Sequence, residues 1–470
     1  AIASLNDFFY VGQAPEIDGE VLETMDMLLN RFHAHKQGIM AAKARKGKNG
    51  PIENWHIPKL EFLQSVVPAI QASGVPLQWS ADVTEHAHIT LIKDPASNTN
   101  NQNYEPQIVR HLDRKDKLRQ FNLATAMSSA GVDFRQDYSD ALARLQDDDD
   151  DGDGEPSRLV NSTSQLLDLI DPVVRLAGTG RKKVDYFRTS SLLAAGTFPE
   201  APTPFRTFAA PDNSTAFHLN RDHVGRRLQL DAAAALFKIP DLLCALQTYL
   251  HRHQESSHLS WLEIGGRIPV ANTHLPFDKI EVWHSVRIQS RSFHSQDNIL
   301  EPETVNAAPP DSHWEMGRRD MVIVNQDLKY KWPKSGIEGH TICQLCMIFR
   351  VVPKDGRPAP PGTAGFLAYV QRFDIVPQRI NKRNVICPEP AAGMYQLKRA
   401  GRVGGSQMGD IIPLDRLRVA VELTPCFGKT ANPCLTKENS LDYSDDFWLS
   451  KWFNKELFWA LSQGGKGTPE

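Results

Sequence analysis

The chain has 470 residues, a hydrophobic share of 41%, a charged share of 23% and a formal net charge of -3. That length exceeds what one hydrophobic core serves and implies about two to four domains, while the composition excludes a mainly disordered chain. The near-neutral balance excludes a globally basic nucleic-acid binder, so any such surface must be local.

Six cysteines do not make a disulfide framework in a chain this long. Nothing reads as a signal peptide and no apolar run approaches a membrane span, so a reducing intracellular compartment is the default expectation. The opening Ala1-Ile2-Ala3, in place of a methionine, suggests a fragment or a processed product.

Residues around 19–45 read as a helix. Leu22, Met25, Leu29, Phe32 and Ile39 fall near helical spacing, with acids early and Lys36, Lys43 and Arg45 late. The basic turn Arg45-Lys46-Gly47-Lys48-Asn49-Gly50-Pro51 is either a solvated helix end or a phosphate contact. A second helix runs from about Pro58 to Ala72, with Leu60, Leu63, Val67 and Ile70 in one apolar stripe and Pro58 in a tolerated first-turn position.

The stretch from Gln78 to Thr90 then packs acid, imidazole and amide together: Trp79, Asp82, Glu85, His86 and His88. It continues through Lys93-Asp94-Pro95 and Asn100-Asn101-Gln102-Asn103-Tyr104 into a basic helix from about Pro106 to Met127. That helix carries Arg110, Arg114, Lys115, Lys117 and Arg119, with Ile108, Leu112 and Phe121 available to pack. Residues 1–135 therefore read as a self-contained helical segment.

The acidic run from Asp147 to Glu155 imitates the early positions of a calcium loop, but Arg158 stands where a bidentate glutamate is required. Residues 136–160 thus read as a flexible acidic linker. Gly178-Thr179-Gly180-Arg181-Lys182-Lys183 lacks the spacing of a P-loop. A helical pattern returns from about Leu228 to His253, broken at Pro240-Asp241, and 161–275 reads as a connector with short helices.

From 276 to 470 the pattern is β-rich. Ile280–Ile288 alternates like a half-buried strand, and Asp320–Asn325, Thr341–Val352, Phe366–Phe373, Met394–Lys398 and Val419–Leu423 are further strand candidates. Without helices between them they predict a small antiparallel barrel or sandwich. Phe447, Trp448, Trp452, Phe453, Phe458 and Trp459 predict a terminal helix docked by its aromatics, rather than a base-stacking surface.

Two constellations invite a metal. Cys343-Gln344-Leu345-Cys346 lies in a predicted strand, where sulfurs three positions apart point to opposite faces and cannot share an ion. His86 and His88 share a face only in a strand; on a helix they diverge by about 200°. No sequence-local set completes their coordination, so a zinc hydrolase using His86 and His88 stands as an alternative without a full ligand set.

Trp55-His56-Ile57-Pro58-Lys59-Leu60-Glu61, the phrase from Gln78 to Thr90, Asn100–Tyr104 and Arg110-His111-Leu112-Asp113-Arg114 resemble the C-terminal part of fungal Plavaka transposases of the CACTA superfamily. The similarity continues into Asp320–Asn325, Tyr369–Val376 and Asp410–Leu414. The resemblance implies an α+β protein: a helical segment from the C-terminal part of an RNase H-like core, the acidic linker, and the β-rich domain with its terminal helix.

It also implies DDE-type strand transfer, in which three carboxylates hold two divalent ions, Mg2+ or Mn2+. Glu85 after Trp79 matches the last of those carboxylates. The first two aspartates fall upstream of Ala1, so the expectation is a transposase-derived, DNA-associated nuclear protein without a full catalytic centre. In that reading Glu85 is the metal carboxylate, Lys93, Arg110, Arg114 and Lys117 contact phosphates, and Asp82, His86 and His88 support the site. The partners expected are the DNA of element ends and a second copy of the chain, with no membrane. A non-catalytic DNA- or chromatin-binding module formed by the C-terminal strands is the other alternative.

Overall fold

The computed structural model of the chain describes residues 1–48, 50–81, 87–100, 102–129, 184–220, 227–255, 275–354, 358–400, 409–428, 430 and 432–463. The acidic linker and the Gly178–Lys183 loop lie outside them. The chain divides into two compact units, Ala1–Pro76 with Asp185–Glu470, and Leu77–Val184. The architecture is mixed α+β, with an N-terminal helical region and a C-terminal region of antiparallel sheets; no barrel closes among the described residues.

In the larger unit, α1 (Ile2–Val11), α2 (Gly19–His35) and α3 (Val66–Ser73) share a small core of Phe8, Met25, Leu28, Leu29, Val67 and Ile70. Asp18 caps α2 by accepting from the Val21 amide at 2.8 Å, satisfying one of the free first-turn donors. The helix expected to reach residue 45 stops at His35, with a separate turn of helix over Gln37–Ala41. The basic turn beyond folds into a hairpin pairing Lys46–Gly47 with Gly50–Pro51, and Arg45 stacks over Trp55 at 5.2 Å.

The β-rich region starts earlier than its sequence pattern. Strands β1 (Thr207–Ala209) and β2 (Thr215–His218), inside the stretch read as a connector, pair with β5 (Ser285–Ser290) and β6 (Glu303–Asn306) in a four-stranded sheet of order β1-β2-β5-β6. Runs of three and four residues are too short to display a period of two. The larger sheet has ten strands. They are β3 (Leu228–Gln229), β4 (Lys279–Trp283), β7 (Met321–Asn325), β8 (His340–Val352), β9 (Leu367–Ile375), β10 (Tyr395–Arg399), β11 (Asp410–Pro413), β12 (Leu417–Val421), β13 (Leu423–Pro425) and β14 (Asp446–Leu449). The main path runs β12-β7-β8-β9-β10-β14-β13, with β4 paired to β8 and β11 to β9.

The expected strand over 280–288 is two strands. The chain crosses at His284 from the large sheet, where β4 pairs with β8, to the small one, where β5 pairs with β2. The two sheets share a core containing Phe217, Val286, Ile288 and Val305 from the small sheet and Val322, Val324, Cys343, Leu345, Ala368 and Val370 from the large one. The opposite face of the large sheet is covered at one end by α6 (Leu230–Leu236) and α7 (Leu242–Glu255), the two helices that Pro240 separates. Its other end is covered by α8 (Lys455–Gln463), where Leu457, Phe458 and Trp459 pack on Ile323, Phe373, Leu397 and Phe447. Of the terminal aromatics, Phe447, Phe458 and Trp459 are core residues, Trp448 and Trp452 are half-buried and Phe453 is exposed.

Helix α1 reaches the same end. Tyr10 stacks on Phe458 with ring centroids 5.0 Å apart and donates its hydroxyl to the Trp452 carbonyl at 2.7 Å. Asp7 accepts from Trp452 Nε1 and from Lys451 Nζ, each at 2.9 Å.

Candidate functional site

The unit Leu77–Val184 holds the residues singled out by the sequence. Trp79 ends a single helical turn, Pro76–Trp79, and is 45% exposed. Asp82, Glu85 and His86 lie outside the described residues. His88 is exposed and leads into a π-helical turn over Ile89–Lys93, whose last residue, Lys93, is also exposed. That turn meets both the short helix Asp94–Ser97 and the long helix α4 (Tyr104–Ser129); the next helix, α5 (Tyr186–Ala194), begins after this unit.

The amide-rich loop before α4 is closed by its own side chains. Gln107 Nε2 donates to Asn100 Oδ1 and to the Gln102 carbonyl, both at 2.6 Å, and Asn103 adopts a left-handed backbone with φ 45°. Asparagine tolerates that conformation better than most residues. These bonds give the Asn100–Tyr104 phrase a structural role in starting the helix.

Helix α4 is built from charge. Glu105 sits in its first turn, favourable for the helix dipole. Lys117 pairs with Asp113 at 2.8 Å and Gln120 donates to Asp116 at 2.9 Å, both at i, i+4 spacing. Ile108 is its buried anchor. Arg110, Arg114 and Lys117 stand at i, i+4 and i+7, which puts them on one face of the helix, and all three are exposed. Arg110 and Arg114 have no ion pair among the described residues, whereas the exposed Lys117–Asp113 pair is worth little in water.

Phe121, available to pack by its sequence spacing, is instead 68% exposed. It lies four residues beyond Lys117 and so extends the same row, a relation its spacing already contained. The face is a line of cations ending in an aromatic ring. Such a line can neutralise consecutive phosphates and offer one surface for stacking.

The other sequence candidates are structural. Cys343 faces the core between the sheets and Cys346 faces the helices, and burial pushes both thiols up. Among the described residues no group of three or more His, Cys, Asp or Glu side chains is placed to hold a metal ion. No described helix is long and apolar enough to cross a membrane.

A family model described as a domain of unknown function (DUF6830) matches residues 187–387. The matched segment takes in the whole four-stranded sheet and strands β3, β4, β7, β8 and β9 of the larger one, and it leaves out α4. No curated protein and no solved structure matches the chain.

Proposed function

We propose that this chain is a DNA-associated part of a transposase-derived protein of the Plavaka type, with the α4 face as its phosphate-contacting surface. One observation carries the reading: three cations, Arg110, Arg114 and Lys117, exposed in register on one helix face. The finer assignments, an RNase H-like origin for the N-terminal helices, a nuclear location and self-association on DNA, rest on the resemblance of the Gln78–Thr90 and Arg110–Arg114 phrases. In this reading Lys93 extends the cationic surface, and His88 with Asp82 and His86 flanks Glu85.

Glu85 would supply one carboxylate to Mg2+ or Mn2+. Glu85 lies outside the described residues, and this reading gives the chain DNA contact rather than strand transfer by itself.

The test is fluorescence anisotropy of labelled duplex DNA at several salt concentrations. Each phosphate contact contributes about 0.9 to the slope of log K against log salt. The variant R110Q/R114Q/K117Q should bind more weakly and lower that slope by about two to three. Equal affinity and slope in wild type and variant would remove α4 from the interface.

A further inference from the structure

The connection between β9 and β10 carries a ribbon of its own. Gln378–Ile380 pairs with Arg383–Val385 as a separate two-stranded sheet, closed by the two-residue turn Asn381-Lys382. Its base is tied to the large sheet, where the Val376 amide donates to the Gln396 carbonyl at 2.8 Å. Beyond that base the ribbon stands clear of the core: all eight residues from Arg379 to Ile386 are exposed. Both turn residues have left-handed backbones, Asn381 at φ 48° and Lys382 at φ 64°. Such tight turns require this conformation and favour glycine at the second position, yet a lysine stands there.

Three cations lie in the ribbon, Arg379, Lys382 and Arg383, and no acid occurs from Ile375 to Pro388. The flanking acids are engaged elsewhere: Asp374 pairs with Arg372 at 2.5 Å, and Glu389 accepts from the Ala392 amide at 2.6 Å. None of the three cations has an ion pair among the described residues. The register sets their directions. Opposed residues share a face and successive residues alternate between faces. Arg379 and Asn384 therefore occupy one face, and Gln378, Ile380, Arg383 and Val385 the other, with Lys382 at the tip. Positive charge surrounds the ribbon. Arg383 shares the face that holds Ile380 and Val385, so neither face is an apolar one.

We propose that this ribbon enters the major groove of duplex DNA. A flat acidic surface meets one face of a ribbon, whereas a groove sets phosphates on both sides of what enters it. The major groove, about 12 Å wide and 8.5 Å deep, admits a two-stranded ribbon; the minor groove, at about 6 Å, is little wider than the spacing of two strands. At about 3.4 Å per residue, three rungs and their turn reach roughly 10 Å, enough to span the depth. In that pose Arg379 and Arg383 contact the two phosphate walls. Asn381 and Lys382 reach the base edges, where side-chain amides pair with adenine and cations with guanine. The class of partner rests on the DNA reading above. The surface is a separate one, since the ribbon belongs to the larger unit and α4 to the smaller.

Fluorescence anisotropy of the full chain on a labelled DNA duplex at several salt concentrations tests this. An RNA duplex of the same sequence is the control, because side chains cannot read the deep, narrow major groove of A-form RNA. R379Q/R383Q should lower the slope of log K against log salt by about two. Lys382→Gly, which suits a backbone at φ 64°, should keep the turn and weaken DNA binding about tenfold. All three positions are exposed, so the variants leave the core intact. An unchanged slope in R379Q/R383Q overturns the proposal, and leaves α4 standing if R110Q/R114Q/K117Q is weakened in the same assay. The reverse result keeps the ribbon and excludes α4. RNA binding as tight as DNA binding, and as dependent on Arg379 and Arg383, overturns the assignment to the groove. No DNA binding by the wild type overturns both surfaces.

Discussion

His340 is a side chain whose chemistry is set by its neighbours. It is 6% exposed; Nδ1 donates to the Glu338 carbonyl at 2.8 Å, and Nε2 faces the Asn325 amide nitrogen at 3.3 Å. Both contacts are satisfied by the neutral ring, and burial pushes its pKa down to about 4. An unfolded histidine titrates near 6.5. Between those values the unfolded chain binds a proton that the folded one refuses, so stability falls as pH drops from about 6.5 to about 4. The loss is on the order of 3 kcal/mol. Urea midpoints at stepped pH should show it, and His340→Gln should flatten this part of the curve; an unchanged slope in the variant would show that His340 is not its source.

Glycine 409 carries a second residue-level constraint that reaches into an element. Its amide donates to the Tyr369 hydroxyl at 2.9 Å and to Asp241 Oδ2 at 3.1 Å, and a Cβ there would stand 2.1 Å from the Tyr369 ring. Tyr369 is fully buried in β9 and its hydroxyl is bonded to Asp241, so it cannot swing aside. Gly409→Ala should cost about 1–3 kcal/mol. Gly365→Ala, where nothing lies within 4 Å of the added carbon, should change the urea midpoint little. Comparable losses in the two variants would discount the close approach.

At the scale of elements, the strands β7, β8, β9 and β10 were legible because their apolar runs are bounded by Gly- and Pro-rich loops, whereas the run 419–423 hid the break between β12 and β13. The interior of β8 was not. Its register shifts between Leu345 and Met347 against β9. Cys343 and Leu345 face the inter-sheet core before the shift and Ile348 faces it afterwards, so the inward parity switches from odd to even. A strand buried on both faces lacks the polar residues that would display this. The same reasoning placed the two cysteines on opposite faces without showing which core each enters. The change of sheet at His284 was hidden because β4 and β5 read as one alternating run. For the candidate site, the spacing of Arg110, Arg114 and Lys117 was readable at once. The arrangement of the 378–385 ribbon was not, since only strand pairing assigns Arg379 and Arg383 to opposite faces.

Across the whole molecule the two sheets are joined by a charge as well as by hydrocarbon. Arg418 in β12 is fully buried; it donates to the carbonyls of Asp415 at 2.7 Å and Leu417 at 2.9 Å, and approaches Asp212 Oδ2 at 3.4 Å from the β1–β2 turn. Removing one partner of a buried pair strands the other charge without solvent, which costs about 3 kcal/mol or more. Asp212→Ala should show that loss in chemical denaturation. Adding Arg418→Met should restore much of it, because an apolar replacement no longer needs a counter-charge. A double variant as unstable as the single one would mean that packing, and not charge, governs the junction.

The contact between α1 and the end of the sheet also imposes an order in time. Tyr10 and Trp452 are separated by 442 positions. At a synthesis rate of about 5–20 residues per second, Tyr10 leaves the ribosome roughly 20–90 s before its acceptor exists. Through that interval Tyr10 and Val11 of α1, and Ala14 just after it, have no sheet end to meet. The nascent chain must keep α1 soluble until α8 arrives, which makes that helix a natural client for chaperones.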